Sequence, residues 1–464
     1  MRCAGTFALL TILLSLAGCL PSSLNQAETD GTDPLVEPGG VPRLDFPRLT
    51  TTDVLASCPG RATDPIVSFQ VLPVPNLSEP PPGLPFRDPI FASCLVRVTD
   101  RHSDLSPDDP SGGIKNEYSR VESFNADGIL LLARSIEARW YVYDASTLEP
   151  LAELPIAVEP RWDPHDPAGL YSFDEVRLMR LDLTAGTQSL VHDFASDFPD
   201  QDLAAVWTRH EGNPSSDGRT WGLLAQDQEW RSVALLVYDL HQDRLIARRD
   251  LSGDPSIDSV TISPLGTYLL VYHDEVCQDG QIGDPDHPCG LMVYDSSLQT
   301  GRSLLPIIGH SDTAVDAAGR EVLIFQDVQQ DQVSMLDLAT GEITPLFAID
   351  FSHSPIGLHF SGRATHRPGW AVISTYSGAS PSATWMDDQV FVIELKPGGR
   401  VIRLAHTHSI VDEQQEHDYW AEPHASANQD LTRIVFTSNW GRSGTDQVEM
   451  YMIVLPDGWL ERAQ

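Results

Sequence analysis

Leu291-Met292-Val293-Tyr294-Asp295, followed by the turn 296–301, is an apolar strand that ends on an acidic residue and reverses tightly. The same pattern recurs as WYVYDAST at Trp140–Thr147, LMRLDLTAG at Leu178–Gly186, LLVYDLHQD at Leu235–Asp243 and SMLDLATG at Ser334–Gly341. VFVIELKPGG at Val390–Gly399 and the degenerate YMIVLPDG at Tyr451–Gly458 bring the number of copies to seven. Units roughly 40 to 60 residues apart, none able to bury its own sheet face alone, are the signature of stacked blades rather than one continuous domain. The chain therefore reads as an all-β, seven-bladed β-propeller of four-stranded antiparallel blades, with each quoted segment as a third strand.

The strands upstream of each copy fit this reading. Asn125-Ala126-Asp127-Gly128, Ser215-Ser216-Asp217-Gly218, Ser263-Pro264-Leu265-Gly266, Asp316-Ala317-Ala318-Gly319 and Asn428-Gln429-Asp430 each precede a β-prone run, as hairpin turns do. Blade two substitutes Trp162–Pro167, and blade six, around Phe360-Ser361-Gly362, is the least regular. Phe91–Thr99 precedes blade one and has no place in it, while the last blade stops at Leu455 without an outer strand. Adding the N-terminal strand there would remove an exposed edge and close the ring. The S-x-D-G turn with its following strand, clearest in Arg433–Asn439, resembles the PD40, WD40-like repeats of TolB-type propellers over residues 115–460. That resemblance implies the fold and no particular function.

At the N-terminus, Arg2, an apolar run over 4–16 and Leu16-Ala17-Gly18-Cys19 form a secretory signal with a bacterial lipobox. The expected organisation is a signal peptide over 1–18, lipidated Cys19 with a flexible tether over 19–60, an N-terminal segment over 61–114 containing the closing strand 91–99, and the propeller over 115–464. Acyl chains on Cys19 would make the membrane a partner through the lipid anchor only. Leu20 after the cysteine, rather than Asp, points to the outer membrane. The cysteines Cys58, Cys94, Cys277 and Cys289 are then an even set in an exported chain, which suggests two disulfides. Cys277–Cys289 around a short polar loop with Cys58–Cys94 is the simplest pairing, and two others remain open. A net charge of −36, with Lys115 and Lys396 the only lysines, excludes nucleic acid as the main partner and argues against lysine-based catalysis.

No G-x-S-x-G, H-E-x-x-H, P-loop or dinucleotide glycine pattern occurs, so the catalytic residues are not legible. Histidines nevertheless recur where inner strands begin beside the channel: His210, His310, His353 with His359, and His424 with Glu422 nearby. Distant residues there would converge on one axis, and neutral imidazoles with carboxylates suit Mn, Zn or Fe. The competing reading is that each histidine only stiffens its own blade. His406-Thr407-His408 is a second metal candidate, because an H-x-H pair on an extended segment points both rings to one side. Arg161, Arg209 and Arg363 could bind carboxylates. Trp140, Trp162, Trp207, Trp230, Trp385, Trp420 and Trp440 could stack sugars or a partner, although at strand positions they more often pack blades.

Glu159–Trp162 and the stretch from Glu422 to Ser438 look similar to blades of the oligogalacturonate lyases. That resemblance implies a manganese ion, or another divalent metal, on the top face, used to acidify the proton next to a uronate carboxylate. The family's ligand set includes a glutamine, and Glu422 stands where it would be sought. Two functions follow as expectations. The first is a lipid-anchored binding or assembly module at the bacterial cell envelope, with an envelope protein or carbohydrate as partner. The second is a metal-dependent polysaccharide lyase or hydrolase using the same face.

Overall fold

The computed structural model describes residues 40–44, 54–58, 66–252, 256–278, 282–378, 383–412 and 414–462. The signal peptide and Cys19 lie outside them. Seven antiparallel sheets carry the described chain, and each quoted repeat is the third strand of its sheet, from Trp140–Asp144 in blade one to Glu449–Val454 in blade seven. Blade six, irregular in sequence, is a full four-stranded sheet from Gly357–Ser361 to Val401–His406.

The recurrent acidic residue has a local job. Asp144, Asp182 and Asp337 each accept backbone N–H bonds from the residues two and three positions on, at 2.8–3.0 Å. These are Asx-type caps that lock the turn after the strand. Asn125 and Asn428 tie the hairpins that open blades one and seven in another way, accepting backbone N–H bonds from residues four or five positions on, across the turn. The apolar face of each strand packs between neighbouring blades: Leu270, Leu291 and Val293 of blade four meet Leu323, Phe325 and Leu336 of blade five. No blade is a core by itself, which is why the unit has to repeat.

The ring closes as expected. Cys94–Arg97 adds antiparallel to Glu449–Val454, with Cys94 opposite Val454, and Phe86–Arg87 extends the sheet. Both disulfides, Cys58–Cys94 and Cys277–Cys289, are formed. Glu449, fully buried, joins the closing strand to the last blade: its carboxylate takes bonds from Arg97 Nη2 at 2.6 Å, Arg101 Nη1 at 2.7 Å and Thr99 Oγ1 at 2.6 Å.

The described parts of the expected tether are packed rather than free. Val41 and Leu44 lie against blades one and two, and Leu55, in the short helix Val54–Ser57, is buried between blades seven and one. Farther along, 66–72 runs beside the outer strand of blade six. There the buried Arg403 guanidinium donates to the Ser68, Gln70 and Trp385 carbonyls.

Candidate metal centre

In each antiparallel blade the start of the inner strand and the turn between the second and third strands share one end. At that end the ring brings four of the predicted residues together. His310 immediately precedes the inner strand of blade five, Ser311–Val315. His359 lies within that of blade six, Gly357–Ser361, and Glu422 and His424 precede Ser426–Ala427 of blade seven. The imidazoles of His359 and His424 are 3.9 Å apart between ring centres, and His310 stands edge-on to His359 at 4.6 Å. Glu422 Oε2 is 2.8 Å from His359 Nε2 and 3.5 Å from His424 Nε2. His424 has φ +45°, a conformation that a residue with a side chain adopts at some cost and that marks a constrained site.

Sequence reasoning passed over Tyr118 and Tyr376. Tyr118 occupies in blade one the position that histidines take elsewhere. Its ring lies 4.7 Å from His424, and its hydroxyl is 3.0 Å from His310 Nδ1. A search restricted to histidine misses it, and a search by blade position would have found it. Tyr376 stacks on His359 at 5.5 Å across Gly357, where a Cβ would come within 2.1 Å of the tyrosine ring. Gly357 is therefore required by close approach. Asp388 holds the chain just after Tyr376, accepting from Ser377 N at 3.0 Å and Ser377 Oγ at 3.1 Å.

Asp388 also makes a prediction. Burial pushes its carboxyl up to about 7, against an unfolded value near 3.8. Between those values the folded state binds a proton that the unfolded state does not, so stability falls as pH rises through this window. Asp388→Asn keeps an acceptor for Ser377 and carries no charge. It is expected to stabilise the protein at pH 8 by about 1–4 kcal/mol and to have little effect at pH 4, read by urea denaturation at both values.

The electrostatics of the cluster suit a cation. Burial drives the imidazoles of His310 and His359 down to about 3, and that of His424 well below the usual range, so all three are neutral. Burial pushes Glu422 up, with His310 and Lys115 pulling against it. Lys115 is itself held down to about 8 by burial and by Arg134. Glu422 is thus a buried carboxylate beside three neutral rings, with Lys115 the nearby cation that acts on it.

Two imidazoles and Glu422 place their ligand atoms within 4.8 Å of one another. The Nε2–Oε2 separations approach the spacing of about 3 Å expected for ligands held about 2.1 Å from one ion. The Nδ1 atoms of His359 and His424 are buried without a partner, so neither ring is fixed by a hydrogen bond on its far side. The residues present therefore fit a divalent metal held by His359, Glu422 and His424, with His310 beside it.

The remaining predicted residues fall elsewhere. His353 is exposed and paired with Asp350 at 2.7 Å. His210 sits on a bulge of blade three, exposed, its ring edge-on to Trp207 at 4.7 Å. His406 and His408 do not form a ligand pair. The outer strand of blade six ends at His406, and His408 turns into φ +55°, so the extended geometry that would aim both rings together is lost. His406 Nε2 lies 3.2 Å from the Leu72 carbonyl, and His408 stacks on Trp440 at 4.2 Å.

Arg161 and Arg363 are buried and already bonded within the protein. Arg161 donates to the carbonyls of Pro160, His210 and Gly212, and Arg363 pairs with Asp312 at 3.3 Å. Arg209 is half-buried, with Asp274 4.0 Å away. Arg120, overlooked in the sequence, crosses the channel mouth to Glu211 at 2.9 Å and lies over the Tyr118 ring at 5.5 Å.

No family model and no curated protein matches the sequence. Among solved structures the chain is similar to an oligogalacturonate lyase in complex with manganese, with a TM-score of 0.55 at 16% identity over 81% of this chain and 96% of that one. It is also similar to an oligogalacturonate lyase from Vibrio parahaemolyticus, with a TM-score of 0.53 at 12% identity over 81% of this chain and 97% of that one. At these identities the shared property is the seven-bladed propeller fold.

Proposed function

We propose that the protein is a metal-dependent lyase that cleaves uronate-containing oligosaccharides by β-elimination at the mouth of the channel. The observation that carries this reading is the convergence of His359, Glu422 and His424, from two blades, beside the Tyr118–His310 pair. A divalent ion bound there, manganese by analogy with the similar fold, supplies a Lewis acid for a uronate carboxylate and so acidifies the adjacent C–H. The reaction removes that proton, breaks the bond to the glycosidic oxygen one carbon away, and leaves a double bond between the two carbons. The departing oxygen takes up a proton.

The chain's own residues handle the protons. His310 is neutral and can accept one. Tyr118, whose phenol is held protonated by burial, can give its proton to the leaving oxygen and take one back from His310 through the hydrogen bond that joins them. Lys115 is buried close enough to act on Glu422, and Arg120, buried as well, pairs with Glu211 at 2.9 Å.

Tyr118→Phe is expected to lower kcat by about 10²–10³-fold with KM little changed, followed by ultraviolet absorbance of the unsaturated product. Metal-loaded protein that leaves every oligouronide intact would overturn the lyase reading and leave a binding propeller.

The LAGC sequence supports anchoring through Cys19 at the cell envelope, on the outer membrane. Cys19→Ala is expected to move the protein from the membrane to the soluble fraction. Retention of the variant in the membrane pellet would count against the anchor.

A further inference from the structure

Blade three presents an aromatic pair at the same end of the ring as the metal centre. Trp207 closes the strand Leu203–Trp207, and Trp230 occupies the turn between Thr220–Asp227 and Ser232–Asp239. Their ring centres are 5.9 Å apart at 47°, and Trp230 is 58% exposed. A buried glutamine sets both. Gln226 Oε1 accepts from Trp207 Nε1 at 2.8 Å, and Gln226 Nε2 donates to the Trp230 carbonyl at 2.8 Å. Gln226 thus fixes the Trp207 indole directly and the backbone of the turn that carries the exposed Trp230 ring, so the pair is organised before anything binds it.

The rim of this pair is polar. His210 stands edge-on to Trp207, and the half-buried Arg209 lies in the same bulge. The bulge continues to Glu211, which pairs with Arg120, which lies over Tyr118, whose hydroxyl meets His310. An unbroken run of contacts therefore joins the aromatic pair to the metal centre around the channel mouth.

We infer that Trp207 and Trp230 form a sugar-stacking subsite for a pyranose unit of an oligosaccharide whose reacting uronate lies at the metal centre, an inference that rests on the lyase reading. The C–H face of a pyranose carries a slight positive potential that matches the negative face of indole, and its hydroxyls and carboxylate need polar partners at the edge. His210 and Arg209 supply them. A protein partner would need roughly 800 Å² of contact on each side. One exposed indole beside a half-buried one offers a patch the size of a sugar ring.

The test uses the full chain loaded with manganese and homogeneous oligogalacturonides of increasing length, with binding measured by calorimetry and turnover by product absorbance. Trp230→Ala is expected to weaken binding of the longer oligomers about 5- to 10-fold. Binding of the dimer, manganese affinity and melting temperature stay as in the unaltered protein. Gln226→Leu, which releases the Trp207 indole and the Trp230 backbone, is expected to act in the same direction. Equal affinity of Trp230→Ala and unaltered protein at every length overturns the subsite, even if turnover proceeds. Length-dependent binding that needs Trp230, without turnover of any oligomer, keeps the subsite and removes the lyase reading. Absence of any oligouronide binding by the unaltered protein overturns the subsite.

Discussion

Replacing His359 and His424 together by alanine is expected to reduce bound divalent metal from about one ion per chain to none, while His406→Ala with His408→Ala leaves it unchanged. Elemental analysis of protein purified without chelator reads this directly. The contrast follows from geometry: the first pair shares Glu422 at 2.8 and 3.5 Å, whereas the second pair is divided between a backbone carbonyl and a tryptophan face. Manganese should also raise the melting temperature of the unaltered protein. An ion that binds only the folded state adds about 2.7 kcal/mol at a hundred times its Kd, and the double variant should show none of this increment. Both replaced histidines are neutral in the fold, so the double variant removes no charge, although it leaves Glu422 without its 2.8 Å partner. A fall in melting temperature with metal content intact would therefore assign them to blade packing and remove the metal centre.

The second large effect is expected at Glu449, which is not a member of the metal cluster. Its carboxylate is fully buried and holds Arg97, Arg101 and Thr99 of the N-terminal segment to the third strand of blade seven. Glu449→Ala leaves two guanidiniums in low dielectric with one charge partner fewer, and removing one member of a buried pair costs about 3–5 kcal/mol. Arg97 retains Asp100 and Arg101 retains Glu79, which places the expected loss near the lower end. Glu449→Gln, which keeps an acceptor for Thr99, should lie between alanine and the unaltered protein. Urea denaturation gives the energies. Hydrogen exchange should show that the amides of Cys94–Arg97 lose protection before those of blades three to five, because the ring opens where its two ends meet. Uniform loss of protection across all blades would show that the Glu449 cluster is not the latch.

The recurrence of apolar strand, aspartate and turn was legible because each part is decided locally. Alternation of side chains places one face of the strand against a neighbouring blade. An aspartate two or three residues before a backbone N–H closes a turn regardless of what surrounds it. The unpaired strand before blade one and the missing strand in blade seven likewise revealed the closure, since a propeller leaves few exposed edges. Cys277 and Cys289, twelve residues apart, made the short-loop pairing the simplest of three, and the structure forms it together with Cys58–Cys94.

The site was legible only as a set of positions. His353 and His359 lie six residues apart in the run leading into blade six, yet one caps an exposed turn with Asp350 and the other lies inside the channel against Glu422. His406 and His408 had the better local spacing for a metal and are held apart by a left-handed residue. Tyr118, separated from His310 by 192 residues and from His424 by 306, became part of the site only when blade one was brought beside blade seven. The sequence by itself determined the blades, their turns and the order in which they stack, because these depend on strand periodicity and hydrogen bonds within a few residues. Only the tertiary structure decided which inner-strand residues face one another. That depends on closing the ring, which sets side chains hundreds of residues apart around one axis and buries them deeply enough to keep the imidazoles neutral.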